Sequence, residues 1–390
     1  MEFQEKFLRI LIVHSSAELY GSDRSLLDFV RSRSSGMEVT VALPEYGILV
    51  PKLESAGATV IVGEVCKIER TMLSVPGLFR IALSLVRAVF FLSKAQRKSS
   101  FNLVYSNTVA VFGGALCARL WRVPHIWHVR EIFSGSKAIT LGFRHLVAKL
   151  SSTVVCNSTH TRDWIYVTGD VEKYLVIWNG YDAPKVNVDR HAERVSLGAS
   201  GHDVLFVLVG RINAWKGQQL LVEAFAKLVV GTDCRARLAI VGSAPVGQEQ
   251  YERDLEACIS KANCSDKVIL IPYHPDIEHV WIAADVVVVP STNPEPFGRV
   301  AIEAMGFGRP VIAAAHGGLV EIVVDGETGC LVTPCDVSAL AAAMFRMMSD
   351  TDLRLRMGAA GRARQTALFS LEGYATQLNE VMRTASSKHS

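Results

Sequence analysis

The chain has 390 residues, enough for two or more domains with separate cores. At 49% hydrophobic and 20% charged it has the make-up of a folded globular protein, which excludes a disordered, collagenous or disulfide-scaffold chain. The net charge of +3 divides unevenly: residues 1–180 hold 21 Lys+Arg against 14 Asp+Glu, and the remainder holds 20 against 24. A basic half beside an acidic half suggests an anionic partner or surface for the first half, or only an uneven scatter of solvated charge.

In chain order, apolar runs predict strands at 8–13, 39–43, 59–62, 103–105, 125–128, 153–156 and 176–177, with helices between them, for example at 24–30, 52–56, 78–97 and 141–150. Residues 182–202 are polar and aperiodic, and read as a connector. The alternation then resumes with strands at 204–209, 237–241, 268–271, 286–289 and 310–314 and a short one near 330–332. Helices are expected at 218–229, 250–261, 298–307, 338–348, 353–368 and 371–385. Strand alternating with helix means parallel sheets covered on both faces, so the fold class is α/β with two doubly wound Rossmann-like domains. The expected domains are 1–182 and 183–366, with a helix in 367–390 packing back toward the first. Ligands of such sheets bind beyond the carboxyl ends of the strands, in a crevice that the two domains should face.

The eight cysteines form no C-x-x-C and sit mostly in apolar runs, as buried thiols in a reducing compartment would. The first six residues are polar and the run 8–13 is too short for a signal peptide, so a cytoplasmic location is expected.

Residues 294–304 read Pro-Glu-Pro-Phe-Gly-Arg-Val-Ala-Ile-Glu-Ala, after a strand that breaks at Pro290. Glu295 falls in a Pro-bounded loop, and Glu303 about two turns along the following helix. Backbone N–H groups of Phe297, Gly298, Arg299 and Val300 would lie at the positive end of that helix, which suits phosphate. A carboxylate there suits the neutral, hydroxyl-bearing part of the same ligand. A capping acid and a solvated helix residue would look the same when taken alone.

Four elements in order resemble the retaining nucleotide-sugar glycosyltransferases of GT-B architecture, the large group 1 family with an E-x7-E motif. Gly210-Arg211 with Lys216-Gly217 resembles the G-R-x4-K-G element, and Glu295 with Glu303 the paired glutamates. Arg309-Pro310 through His316-Gly317-Gly318 and Glu321 resembles the strand and glycine turn, and Asp325-Gly326 through Gly329-Cys330-Leu331-Val332 the D-G-x-x-G-x-L-V ending. The resemblance implies that Arg211 and Lys216 hold the donor's diphosphate, Glu295 the sugar hydroxyls and Glu303 the ribose, with the base near Tyr273. In the first domain, Gly21 and Ser22 fall in a loop similar to G-G-x-E-R, altered by Tyr20 and Asp23. His128 matches a histidine at the donor sugar, and Asn179-Gly180 a hinge element.

The family's chemistry implies sugar transfer from a nucleoside diphosphate to a hydroxyl, with retention, by same-face displacement in which the leaving phosphate takes the proton. No metal or cofactor is expected; Asp350-Thr351-Asp352 reads as a capping turn between helices. The acceptor is expected to be a lipid-linked or growing cell-surface glycan, and nucleic acid is not expected as a partner. Across 78–98, Arg80, Arg87 and Lys94 recur every seven residues in an apolar helix, which either covers the sheet with a wet basic edge or lies on an anionic membrane. A nucleotide-sugar-binding protein without catalysis, and a GT-B epimerase or phosphorylase, are the competing readings.

Overall fold

The computed structural model describes residues 7–68, 75–133, 136–231, 234–274 and 277–388; the polar stretch 1–6 lies outside them. The chain forms two compact units, Met1–Gly180 with Leu371–Ser390, and Tyr181–Ser370. The first holds strands β1 (Leu8–Val13), β2 (Met37–Leu43), β3 (Thr59–Val62), β4 (Leu103–Ser106), β5 (His125–Val129), β6 (Thr153–Cys156) and β7 (Tyr174–Val176). Between them run helices α1 (Gly21–Ser32), α2 (Leu49–Ser55), α3 (Val75–Ser99), α4 (Gly113–Trp121), α5 (Lys137–Leu150) and α6 (Thr159–Ile165).

The second unit holds α7 (Arg190–Ser196), β8 (Val204–Val209), α8 (Gln218–Val229), β9 (Ala236–Val241), α9 (Gln250–Lys261), β10 (Val268–Ile271) and α10 (Ile277–Ala283). It continues with β11 (Val286–Val289), α11 (Arg299–Gly306), β12 (Val311–Ala314), α12 (Leu319–Ile322), β13 (Gly329–Val332), α13 (Val337–Ser349) and α14 (Thr351–Leu368). The last helix, α15 (Leu371–Ser387), belongs to the first unit, where Tyr374, Leu378 and Met382 join the core around β1 and α1.

Both sheets are parallel, ordered β3-β2-β1-β4-β5-β6-β7 and β10-β9-β8-β11-β12-β13. Each reverses direction of winding at one point, between β1 and β4 and between β8 and β11, and the crevice beyond such a switch point is where these sheets bind ligands. The Val-rich strands are buried on both faces, which is why they read as unbroken apolar runs.

The 182–202 connector is not structureless. It contains α7, seven mostly polar residues whose amphipathic period is too short to detect. Buried Arg194 holds it in place, donating to the carbonyls of Ala283, Ser200 and Asp203 and to Asp285 Oδ2 at 2.7 Å. Helices α4 and α6 fill intervals between strands that the alternation assigns to helix, whereas the short α10 and α12 lie where no helix is expected. Of the cysteines, Cys335 is exposed rather than buried. Asp350 caps α14, accepting from the Leu353 N–H at 2.8 Å, as the capping reading required. Among the described residues no helix is long and apolar enough to cross a membrane.

Arg194→Met should destabilise the second unit by about 3 kcal/mol, because several carbonyls and Asp285 lose a buried donor. A melting temperature unchanged from wild type would show that α7 is held by something else.

Candidate functional site

In the second unit the chain leaves β8 at Gly210 and must return to start α8. Asn213 Oδ1 accepts the N–H groups of Trp215 and Lys216 at 3.1 and 3.0 Å, folding the loop into a tight Asx turn. Gly217 closes it at φ +78, where an added Cβ would meet the Pro290 carbonyl oxygen at 2.2 Å. Only glycine fits against the end of β11 there. The Lys216 side chain then lies over the Trp215 ring, its Nζ 4.5 Å from the centroid, and reaches Glu295 Oε1 at 2.7 Å.

Glu295 comes from the other side of the switch point, in the loop after β11, and is 4% exposed. Its Oε1 also accepts from Ser291 Oγ at 2.5 Å. The glycine turn after β12 forms the floor of this loop. A Cβ on Gly317 would sit 2.3 Å from the Glu295 carbonyl oxygen, and the Gly318 N–H donates to that oxygen at 2.8 Å. His316 Nε2 donates to the Ser291 carbonyl at 2.8 Å.

Helix α11 begins at Arg299 behind Gly298 at φ +110, so Glu303 is its fifth residue, one turn in rather than two. Arg299 Nε donates to Glu303 Oε1 at 2.6 Å, and its guanidinium carbon lies 5.8 Å from the Tyr181 ring centroid. The Arg299 side chain, which sequence reasoning left unused, is therefore part of the site. Phe297 packs into the core, 6.1 Å from the Phe369 ring, and Val300 is half-buried. Arg211 is exposed, its carbonyl accepting from Gln218 Nε2 at 2.9 Å. Tyr273 is 39% exposed after β10, its N–H donating to Ser243 Oγ. The D-G-x-x-G segment is a structural turn: Asp325 Oδ1 accepts the Leu331 N–H at 2.9 Å at the start of the edge strand β13.

In the first unit the switch point is likewise bridged. His14, after β1, accepts at Nδ1 from Asn107, after β4, at 3.2 Å, and donates from Nε2 to Asp23 Oδ1 at 2.7 Å. Asp23 Oδ2 accepts the Tyr20 N–H at 2.9 Å, so this buried acid ties the start of α1 to β1. Gly21 and Ser22 precede it; Gly21 is exposed, and a Cβ there would meet open space, so the fold itself does not demand glycine. Arg130 Nε donates to Asn107 Oδ1 at 3.0 Å, Nη1 to Asn179 Oδ1 at 2.6 Å, and Nη2 to Tyr374 OH at 2.7 Å. Asn179, beside buried Gly180, thus spends its side-chain oxygen on a structural tie. Arg130 and Tyr374 escaped sequence reasoning, although Arg130 lies two residues from His128.

His128 is fully buried on β5, and its Nδ1 is hydrogen-bonded to Tyr105 OH. Its Nε2 has no hydrogen-bond partner among the described residues. Burial, reinforced by the Arg130 charge, holds the His128 pKa well below the usual imidazole value, so the ring is neutral at physiological pH.

Residues 189–364 match the family model described as glycosyl transferases group 1. The chain is 30% identical over 310 residues to the D-inositol 3-phosphate glycosyltransferase of Corynebacterium glutamicum (strain R), covering 74% of each chain. It is 32% identical over 275 residues to the enzyme of that name from Xylanimonas cellulosilytica, of whose length it spans 64%. Among solved structures it is similar to Anabaena Alr3699/HepE, crystallised with UDP and glucose: TM-score 0.83 at 27% identity, covering 96% of this chain and 99% of the other. A sucrose-phosphate synthase from Thermosynechococcus elongatus shares the fold, with TM-score 0.77 at 24% identity over 98% and 100% of the chains.

Two buried imidazoles set a pH dependence. Burial brings His125 down to about 3 and His128 down as well, whereas in the unfolded chain both titrate near 6.5. Below that value the unfolded state binds protons that the folded state refuses. Stability should therefore fall with pH, by about 1.4 kcal/mol per pH unit for each ring, from near pH 6.5 toward pH 3 for His125. Urea unfolding at pH 7 and pH 5 checks this; equal stabilities would contradict it.

Proposed function

We propose, from the premise that the chain belongs to the group 1 glycosyl transferases, that it moves a sugar from a nucleoside-diphosphate sugar to a hydroxyl acceptor with retention of anomeric configuration. Its two Rossmann-like units have the GT-B architecture. The observation that carries the proposal is the meeting of Lys216 and Glu295 from opposite sides of the β8/β11 switch point, 2.7 Å apart. A donor bound there meets a cation and a carboxylate held in fixed positions. An ammonium has three N–H donors, so the contact to Glu295 leaves Lys216 able to bind phosphate oxygens as well.

In this reading Lys216 and Arg211 neutralise the diphosphate as the glycosidic bond breaks, aided by the backbone N–H groups at the start of α11. Glu295 binds sugar hydroxyls and Glu303 the ribose, with the base near Tyr273. HepE was crystallised with UDP and glucose, which supports a uridine donor carrying a hexose. His128 orients the sugar: a neutral imidazole whose Nε2 has no hydrogen-bond partner among the described residues can pair with a sugar hydroxyl without bringing a charge. Gly21 and Ser22 let the backbone approach the diphosphate.

The acceptor oxygen attacks from the face the diphosphate leaves. The glycosidic C–O bond breaks through an oxocarbenium-like state, and the departing phosphate oxygen takes the acceptor's proton. Charge develops on that phosphate, so fixed cations and helix-end dipoles lower the barrier without rearranging. Transfer in this form uses no metal. The acceptor is proposed to be a lipid-linked sugar or growing cell-surface glycan, met at the inner face of a membrane.

Glu295→Gln and Lys216→Gln should each lower transfer from UDP-hexoses at least about 100-fold. Circular dichroism should stay at wild type. Near-normal turnover in either variant would overturn these roles.

A further inference from the structure

The outward face of α3 is apolar, which a helix that only covers the sheet with a wet basic edge would not show. Phe79, Leu83, Val86 and Phe90 are 74%, 42%, 67% and 78% exposed. Their spacings of four, three and four residues put them in one ridge along the helix. The inward face is separate: Ala88 and Leu92 are fully buried, Ala88 close against Gly113 of α4 and Leu92 in one core cluster with Leu11, Val13 and Val104. So α3 is apolar on two opposite sides, and among the described residues only one of them is packed against other side chains.

Charge flanks the ridge. Arg80, Arg87, Lys94, Arg97 and Lys98 are all exposed, and residues 75–99 contain no acid. Arg80, Arg87 and Lys94, seven apart, line one edge of the ridge. The neighbouring α4 ends in the same style, with Leu120 59% exposed between exposed Arg119 and Arg122.

We infer that α3 docks in the plane of an anionic lipid bilayer, with Phe79, Leu83, Val86 and Phe90 entering the headgroup–acyl boundary and the basic edge at the lipid phosphates. A four-residue apolar ridge suits shallow burial, and cations beside it suit a surface of negative headgroups. A second copy of this chain fits poorly, because a two-fold contact would set these five cations against their own duplicates. The inference deepens the membrane-side acceptor proposed above, but vesicle binding is read without donor or acceptor. Either reading can therefore fail while the other stands.

The test is co-sedimentation of the full chain with phosphatidylcholine vesicles, with and without phosphatidylglycerol, at low and high salt. Wild type should bind only the anionic vesicles, and less at high salt. R80Q/R87Q/K94Q should weaken binding roughly a hundredfold, and F79S/F90S on the order of tenfold or more. Since all five side chains are exposed, melting temperatures should match wild type. Equal binding to neutral vesicles, or unchanged binding by either variant, would overturn the inference. So would a dimer in sedimentation velocity that F79S/F90S abolishes.

Discussion

A carboxylate that is 4% exposed costs several kcal/mol unless cation and hydrogen-bond donors replace its water. At Glu295 the replacements are the Lys216 ammonium at 2.7 Å and the Ser291 hydroxyl at 2.5 Å. Much of the second unit's local design follows from bringing these groups together. Gly217 lets the Lys216 loop press against the end of β11, Asn213 bends that loop, and Gly317 and Gly318 let a third segment pass beneath the Glu295 backbone. Each glycine stands where a Cβ would strike a carbonyl or a main-chain atom of a neighbouring segment. The motif that resembles other proteins in sequence is, in space, the packing that keeps one acid and one base in register.

The first unit solves a similar problem with different residues. Its switch point is closed by neutral and charged hydrogen bonds in a chain: Asp23, His14, Asn107, Arg130, then Asn179 and Tyr374. Arg130 is buried, and three partners from distant parts of the sequence satisfy its guanidinium. Through Tyr374 it fastens α15 to the sheet, which explains why a helix so late in the chain belongs to the first unit. The replacement of a longer acid by Asp23 is consistent with this network, because the shorter side chain caps α1 and still reaches His14.

These arrangements differ in how far the sequence exposes them. The strands were legible because parallel strands buried on both faces leave continuous Val/Ile/Leu runs, as in Val286–Val289. Lys216 and Glu295 were legible by resemblance, each next to a glycine or proline in the loop that follows a strand. Helix α7 was not, since seven residues give too little periodicity and its anchor, Arg194, looks like any surface arginine. Nor was the direction of Phe79 and Phe90. An apolar residue on a helix reads as core by default, and only the position of the sheet decides which side faces water. The Arg299–Glu303 pair could have been found from its four-residue spacing, but Arg299 drew attention only for its backbone.

The two glutamates of the motif are stabilised in physically different ways. Arg299 and Glu303 are one helical turn apart, so their pairing needs only α11 to form. Lys216 and Glu295 are separated by 79 positions, and their pairing needs β8, β11 and β12 to end at the right heights. Errors in sheet packing thus fall on Glu295 and spare Glu303. That asymmetry matches the roles proposed for them. A ribose contact tolerates a local, self-contained support, whereas a contact beside the breaking bond depends on fine placement, where a shift of about 1 Å can cost about 100-fold in rate. Three glycine-dependent approaches, at Gly217, Gly317 and Gly318, thus serve the loop of the residue proposed to stand beside the breaking bond.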